Sequence, residues 1–308
     1  MLRYQYQGSK LLKLWLSSIT LLSTILTTQI ATAETVIEKV ARTGVLTAGT
    51  SKDALPFAYA NNEGELVGYS VDMLTLIQEQ LEKELGREIE LKLVALDPRD
   101  RIPQLVNNQV DIVCDASSFT WERDKKIDFS VSYGITGTRL LVKEDNYLTI
   151  SQSLDGKRIG ILPGTTSELA IKRDEPRAKI VFLRDRQEGY SALKQGTIDA
   201  FADDSILLES WLQTNNNAED FVIAGYYSQE GIACMIPEDN SQFLNNVNYA
   251  IVRFMQNFLA EKQESVALFD RWFGSQGTVP LTRDLRDLML ETMQLIVDFK
   301  EEIPTRDL

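Results

Sequence analysis

Residues 89–114, IELKLVALDPRDRIPQLVNNQVDIVC, carry the reading on which the fold turns. Ile89, Leu91 and Leu93 alternate with charged residues, the period-two pattern of a strand with one buried face. Ile102 to Val106 suits a short helix, and Val110 to Cys114 is strand-like again. On the N-terminal side, Val71, Leu74, Ile77, Leu81 and Leu85 mark one face of a helix that stops at Gly86, a residue suited to the left-handed helix cap. Val45 to Ala48, before that helix, reads as a buried strand. The order is β-α-β-α-β.

The same grammar returns further along. Arg158 to Leu162 (strand), Thr166 to Lys172 (helix), Ile180 to Leu183 (strand), Gly189 to Lys194 (helix) and Ile198 to Ala202 (strand) form a second unit. The units share an echo, because Leu105 with Val110-Asp111 matches Leu193 with Ile198-Asp199 at identical spacing. This repetition favours two α/β lobes. After Ala224-Gly225 come an apolar strand (Gly231 to Ile236), a helix around Val247 to Phe258, and a helix ending in Phe269-Asp270-Arg271-Trp272-Phe273-Gly274. A last helical segment, Leu285 to Phe299, has Leu288, Thr292, Leu295 and Phe299 on one face. If the late strand joins the first sheet, the chain crosses between lobes twice. The cleft between lobes joined in that way is a natural ligand site.

Composition narrows the function. The 308 residues are long enough for two domains, and 44% hydrophobic with 25% charged residues is a globular balance rather than a disordered one. With 32 basic against 45 acidic residues and no basic cluster, the balance argues against a nucleic acid or an anionic membrane as partner. The absence of His removes Ser-His-Asp and Cys-His catalysis and the usual zinc sites. No cofactor or metal is implied.

Arg3, Lys10 and Lys13 precede an apolar run from Leu14 to Ile30 that ends at Ala31-Thr32-Ala33, a small-x-small cleavage pattern. Residues 1–33 therefore read as an export signal cleaved after Ala33, which places the protein in the periplasm. A retained anchor is the alternative, weakened by the Ser and Thr residues between Ser17 and Thr28. In that oxidising compartment Cys114 and Cys234 can pair, two buried thiols being the other reading. A bond between them requires their strands to be neighbours.

Gly68-Tyr69-Ser70-Val71-Asp72, opening the first long helix, resembles a signature of the family 3 extracellular solute-binding proteins, the polar amino-acid receptors of ABC importers. The resemblance continues in order through Arg101-Ile102-Pro103, Val110-Asp111, Cys114, Glu122-Arg123, Phe129-Ser130, Gly137-Thr138-Arg139-Leu140-Leu141, Leu154-Asp155-Gly156-Lys157, Gly164-Thr165-Thr166-Ser167-Glu168, Asp204, Cys234-Met235 and Trp272-Phe273. Within the family it is most similar to the glutamate/aspartate-binding branch, where the paired cysteines also occur. The resemblance implies a type II periplasmic-binding-protein fold. Its two α/β lobes, residues 34–139 with 228–308 and residues 140–227, would be joined by two crossover segments with the ligand cleft between them.

By the same resemblance, Arg123 binds the α-carboxylate of an amino acid and Asp204 its α-ammonium, with Ser118 and the backbone carbonyl of Ala116 completing the first-lobe contacts. A guanidinium suits a carboxylate because its planar fork gives two parallel hydrogen bonds. Left to the residues alone, Arg123 reads as a surface salt bridge to Glu122 or Asp124. Asp203 rivals Asp204, and either could simply cap the helix from Ser205. Gly164 to Ser167 stands between a strand and a helix, so Thr165 is expected to touch a carboxylate at the helix start, or only to cap it. Phe57 or Tyr59 could stack on a ligand or merely pack, and Trp121 could likewise be core. Two positions depart from the closest branch, where an Arg aligns with Ser51, beside Lys52, and a His with Arg186. Arg101 is kept. Cations at Arg101 and Arg186 could still meet a side-chain carboxylate, so glutamate, aspartate, glutamine, asparagine and a broad polar range all stay open. The implied partners are an amino acid and an inner-membrane ABC permease, with the protein acting as a monomer. Two other classes compete, a cyclohexadienyl-type dehydratase on the same scaffold, with Glu168 as candidate acid, and a sensory module.

Overall fold

The computed structural model describes residues 34–147, 153–215, 218–300 and 303–304; the expected signal segment and its cleavage point lie outside these residues. Helix Val36–Thr43 is closed at its start by a reciprocal cap, in which Thr35 Oγ1 accepts from the Glu38 amide and the Glu38 carboxylate accepts from the Thr35 amide. Strand β1 (Val45–Thr50) leads into a small antiparallel flap of β2 (Asp53–Ala54), β3 (Ala58–Ala60) and β4 (Leu66–Val67). Helix Tyr69–Leu85 begins so close to the flap that a Cβ on Gly68 would lie 2.2 Å from the Phe57 carbonyl oxygen. Gly68 also has φ 145°, so glycine is required there twice over. Strands β5 (Glu90–Ala95), β6 (Ile112–Val113) and β7 (Ile127–Phe129) follow, and β8 (Gly134–Thr136) leaves the first lobe. The second lobe holds β9 (Thr138–Lys143), β10 (Arg158–Ile161), β11 (Lys179–Phe182), β12 (Ala200–Asp204) and β13 (Phe221–Ala224). Strand β14 (Glu230–Ile232) returns beside β8, and β15 (Met235–Pro237) enters the first sheet between β6 and β7.

The two sheets repeat one design. Their orders are β5-β1-β6-β15-β7 and β11-β10-β12-β9-β13, three parallel strands in the order second, first, third, then one strand running against them and an edge strand that pairs antiparallel with it. The sequence echo has a structural cause. Asp111 accepts from the Thr47 amide through Oδ2 at 2.9 Å and donates its own amide to the Thr47 carbonyl at 2.7 Å. Asp199 treats Arg158 in the same way, at 2.7 and 2.8 Å. In each lobe this aspartate ties the entry of the third strand to the first.

Apolar helix faces from Tyr69–Leu85, Ser241–Leu259, Gln263–Phe273 and Arg283–Lys300 bury the first lobe's core, with Leu46, Met73, Ile77, Ile112, Ile251 and Phe273 inside it. Asp72 accepts from Trp272 Nε1 at 2.5 Å and from Arg271 at 3.0 Å, which joins the motif of residues 68–72 to the Trp272-Phe273 motif 200 residues later. Cys114 and Cys234 are bonded with Cα atoms 4.4 Å apart. The pairing follows from β15 lying beside β6.

Three expectations are corrected. The single strand Gly231 to Ile236 is two strands in different sheets, because Ile232 pairs with β8 while Met235 pairs with Val113 and Phe129. The chain changes sheet at Ala233-Cys234. Trp121 is 76% exposed rather than core. In the last helix the buried stripe is Met289, Met293 and Val297, whereas Leu295 and Phe299 face outward.

Candidate functional site

The loop Asp115–Ser118, which follows the disulfide at the end of β6, and the one-turn helix Trp121–Asp124 supply the first lobe's polar groups. Thr120 caps that turn by accepting from the Arg123 amide at 3.1 Å. The turn points Arg123 back along the loop. Its Nη1 donates to the Ser118 carbonyl at 2.7 Å, and its Nη2 donates across to the Gly164 carbonyl of the second lobe at 2.9 Å. Among the described residues no carboxylate lies within 4.0 Å of it, so the salt bridge to Glu122 or Asp124 is not made. Burial and the neighbouring Arg101 lower its pKa, against the pull of Glu230, Asp115 and Asp204, and an arginine so placed stays charged. Ser118 is buried, and its Oγ has no hydrogen-bond partner among the described residues. Ala116 sits buried in the same loop.

Asp204 closes β12 on the other lobe. It occupies the N-cap position of helix Ser205–Thr214 but makes no side-chain cap bond. It is 6% exposed, and its Oδ1 has no partner among the described residues. Burial pushes its carboxyl well above the usual range, and Asp203 and Glu230 push in the same direction. Its rival Asp203 is fully committed, since it accepts from Arg186 Nε at 2.7 Å and Nη2 at 3.3 Å. Of the two aspartates, Asp204 is the one with an oxygen to offer.

The two cations expected at the side-chain end are already paired. Arg101 is buried, with Nε 2.6 Å from Asp115 Oδ2 and Nη2 donating to Ser51 Oγ at 2.8 Å. Ser51 in turn donates to Asp115 at 2.9 Å. Arg186 is buried between lobes, held by Asp203 and, across the cleft, by Asp53, whose Oδ1 accepts from Nη1 at 2.9 Å. Burial opposes its charge, but these two carboxylates overcome that and raise its pKa. Burial likewise works against Asp53, yet Arg186 holds it below its ordinary value. Lys52 pairs instead with Asp97 at 3.5 Å, near the surface.

Thr165 caps helix Thr166–Asp174. Its Oγ1 accepts from the Glu168 amide at 3.2 Å and donates to the Leu162 carbonyl at 2.8 Å, so its hydroxyl has a local role. Glu168 accepts from the Gly164 amide at 2.8 Å and from Lys172 at 2.6 Å. Gly164 has φ 81°, and a Cβ there would lie 2.9 Å from the Arg99 Cα. The lobes therefore meet backbone to backbone at this glycine. Phe57 is wholly buried between Tyr69 and Phe273, and Tyr59 stands edge-on to Trp272, so both pack inside the first lobe.

A model of the bacterial extracellular solute-binding proteins, family 3, matches residues 46–275. The chain belongs to that family. Like other family 3 solute-binding proteins, it has relatives named for their ligands. It is 30% identical over 247 residues to a glutamate/aspartate import solute-binding protein of Escherichia coli K12, covering 78% of this chain and 80% of that one. It is also 30% identical to an L-glutamate/L-aspartate-binding protein of Pseudomonas aeruginosa, covering 82% and 87%. Among solved structures, an ancestral arginine-binding protein bound to arginine superposes with a TM-score of 0.65 at 27% identity, over 75% of this chain and 99% of that one. The match carries the two-lobed type II binding-protein fold to this solute-binding protein.

Sequence reasoning missed four groups. Asp53 and Asp115 neutralise the cleft arginines, while Thr136 Oγ1 and Glu230 Oε2 are buried without partners on the crossover strands β8 and β14, where the two residues are in register. Single acidic residues at strand ends or in loops carry no signal of their own. Only the shared address of Thr136 and Glu230 beside Gly137-Thr138, inside the region of resemblance, could have drawn attention to them.

Proposed function

We propose that this solute-binding protein captures a polar L-amino acid in the periplasm, closes on it like a hinge and presents the closed form to an inner-membrane ABC permease, acting as a single copy after its signal is cleaved at Ala33. One observation carries the reading: among the described residues Arg123 is a guanidinium without an ion pair and Asp204 Oδ1 a buried carboxylate oxygen without a donor, and the two belong to opposite lobes and lie within electrostatic reach of each other. Burying either charge costs several kcal/mol unless an opposite charge arrives. An α-amino acid brings one of each sign on a single carbon. Ser118 Oγ and Thr136 Oγ1 are further acceptors or donors for the same ligand. The protein is a binding protein rather than an enzyme: its relatives bear binding names, and Glu168 already serves the helix start and Lys172.

A thermal-shift screen over the twenty amino acids tests this reading. A true ligand at 100 times its Kd adds about 2.7 kcal/mol of stability, which raises Tm by several degrees. A flat response to all twenty would defeat it.

Asp204 adds a pH signature. Its carboxyl titrates higher in the ligand-free fold than in the unfolded chain, so the ionised form costs stability at neutral pH, and that cost is relieved as pH falls through the raised value toward 3.8. An ammonium placed against it favours the ionised form, and binding then releases a proton. Affinity should therefore fall as pH is lowered, by up to about tenfold per pH unit. Asp204→Asn should bind at least about a hundredfold more weakly, while its ligand-free Tm at pH 7.5 rises. Calorimetry in buffers of different ionisation enthalpy reads the proton count; pH-independent binding by the unaltered protein would remove the assignment.

A further inference from the structure

We infer that the cleft refuses acidic amino acids and takes those with uncharged or cationic side chains, and that Asp115 and Asp53 set this choice. The inference rests on the cleft being an α-amino-acid site and goes on to its side-chain end. Two arginines there invite an acidic side chain, but neither has charge to spare. Arg101, 3% exposed, has its Nε 2.6 Å from the fully buried Asp115. Arg186, 2% exposed, lies between Asp203 and Asp53 at 2.7 and 2.9 Å. Two guanidiniums thus face three carboxylates. With Arg123 and Asp204 assigned to the ligand's own α-groups, Glu230 is left over, and its Oε2 is buried with no donor. Glu230 lies within electrostatic reach of both Arg123 and Asp204, so it belongs to the same dry region.

A further carboxylate brought into this balance would be buried beside an excess of its own sign. Repulsion of that kind costs more in a protein interior than in water. A side chain that donates hydrogen bonds meets the opposite situation, because buried carboxylate oxygens gain from every N–H they receive. The excess is local and paired residue by residue, so it is distinct from the acidic balance of the whole chain.

Calorimetry at pH 7.5 on the purified protein compares glutamate and aspartate with the tightest non-acidic amino acid. We expect both acidic ligands to bind at least about tenfold more weakly. Asp115→Asn and Asp53→Asn release charge on Arg101 and Arg186, and each should move the ratio toward glutamate by about tenfold. The ratio is the readout because Asp53 also joins the lobes, an effect common to every ligand. Should Asp115→Asn fail to fold, Asp53→Asn decides, since the Asp53 side chain is 26% exposed. Tight glutamate binding by the unaltered protein would overturn the inference and leave the amino-acid reading standing. An unchanged ratio in the folded variants would overturn the role of the two aspartates. If no amino acid binds, both readings fall together.

Discussion

Arg123→Ala abolishes useful binding: the expected loss is about 3–5 kcal/mol, or roughly two to four orders of magnitude in Kd. Two losses combine. The ligand's carboxylate would be taken from water with no cation to meet it, and the Ser118 and Gly164 carbonyls would lose their shared donor, one in each lobe. Arg123→Lys should recover only part of the affinity. An ammonium keeps the charge but cannot span two carbonyls and still give a carboxylate parallel bonds. Calorimetry with the tightest ligand from the screen, alongside melting of the ligand-free proteins, separates this from unfolding. An alanine variant with unchanged melting and unchanged Kd would show that the site lies elsewhere.

Removing the disulfide acts on stability instead. The bond joins residues separated by 120 positions, and the chain-entropy account gives about 5 kcal/mol for a loop of that length. For a chain of this size that corresponds to a Tm lower by about 10 °C or more in Cys114→Ala/Cys234→Ala, or on reduction. The native arrangement should survive at low temperature because other bonds hold both strand ends. Thr50 Oγ1 donates to the Cys114 carbonyl at 2.7 Å, and Ser130 exchanges two backbone-linked bonds with Cys234 at 2.9 and 3.0 Å. A Tm change of only one or two degrees would mean that the unfolded chain is already held together by other means.

Much of the architecture was legible because it is written in local period. The helix face from Val71 to Leu85, its stop at Gly86 and the alternation at Ile89 to Leu93 each report a buried side directly. The Asp111 and Asp199 echo was legible too, although its meaning as a tie between strands needed coordinates. What failed was choice of partner. Gly231 to Ile236 is one apolar run, and nothing in its composition records that the chain changes sheets at Ala233-Cys234. Leu295 and Phe299 are as apolar as Met293 and Val297, so only the neighbouring helix decides which stripe is covered. The site follows the same division. Arg123, Asp204 and Ser118 were singled out only by the family resemblance, whereas the partners of Asp53 and Asp115 and the burial of Glu230 depend on what stands opposite them after folding.

The bridge from Asp53 to Arg186 spans the two halves without needing a guest. If the lobes close on a ligand as proposed, its energy would belong to the closed form whether loaded or empty and would favour every ligand alike. On the proposed hinge-closing reading, a latch of this kind would favour long residence over rapid exchange.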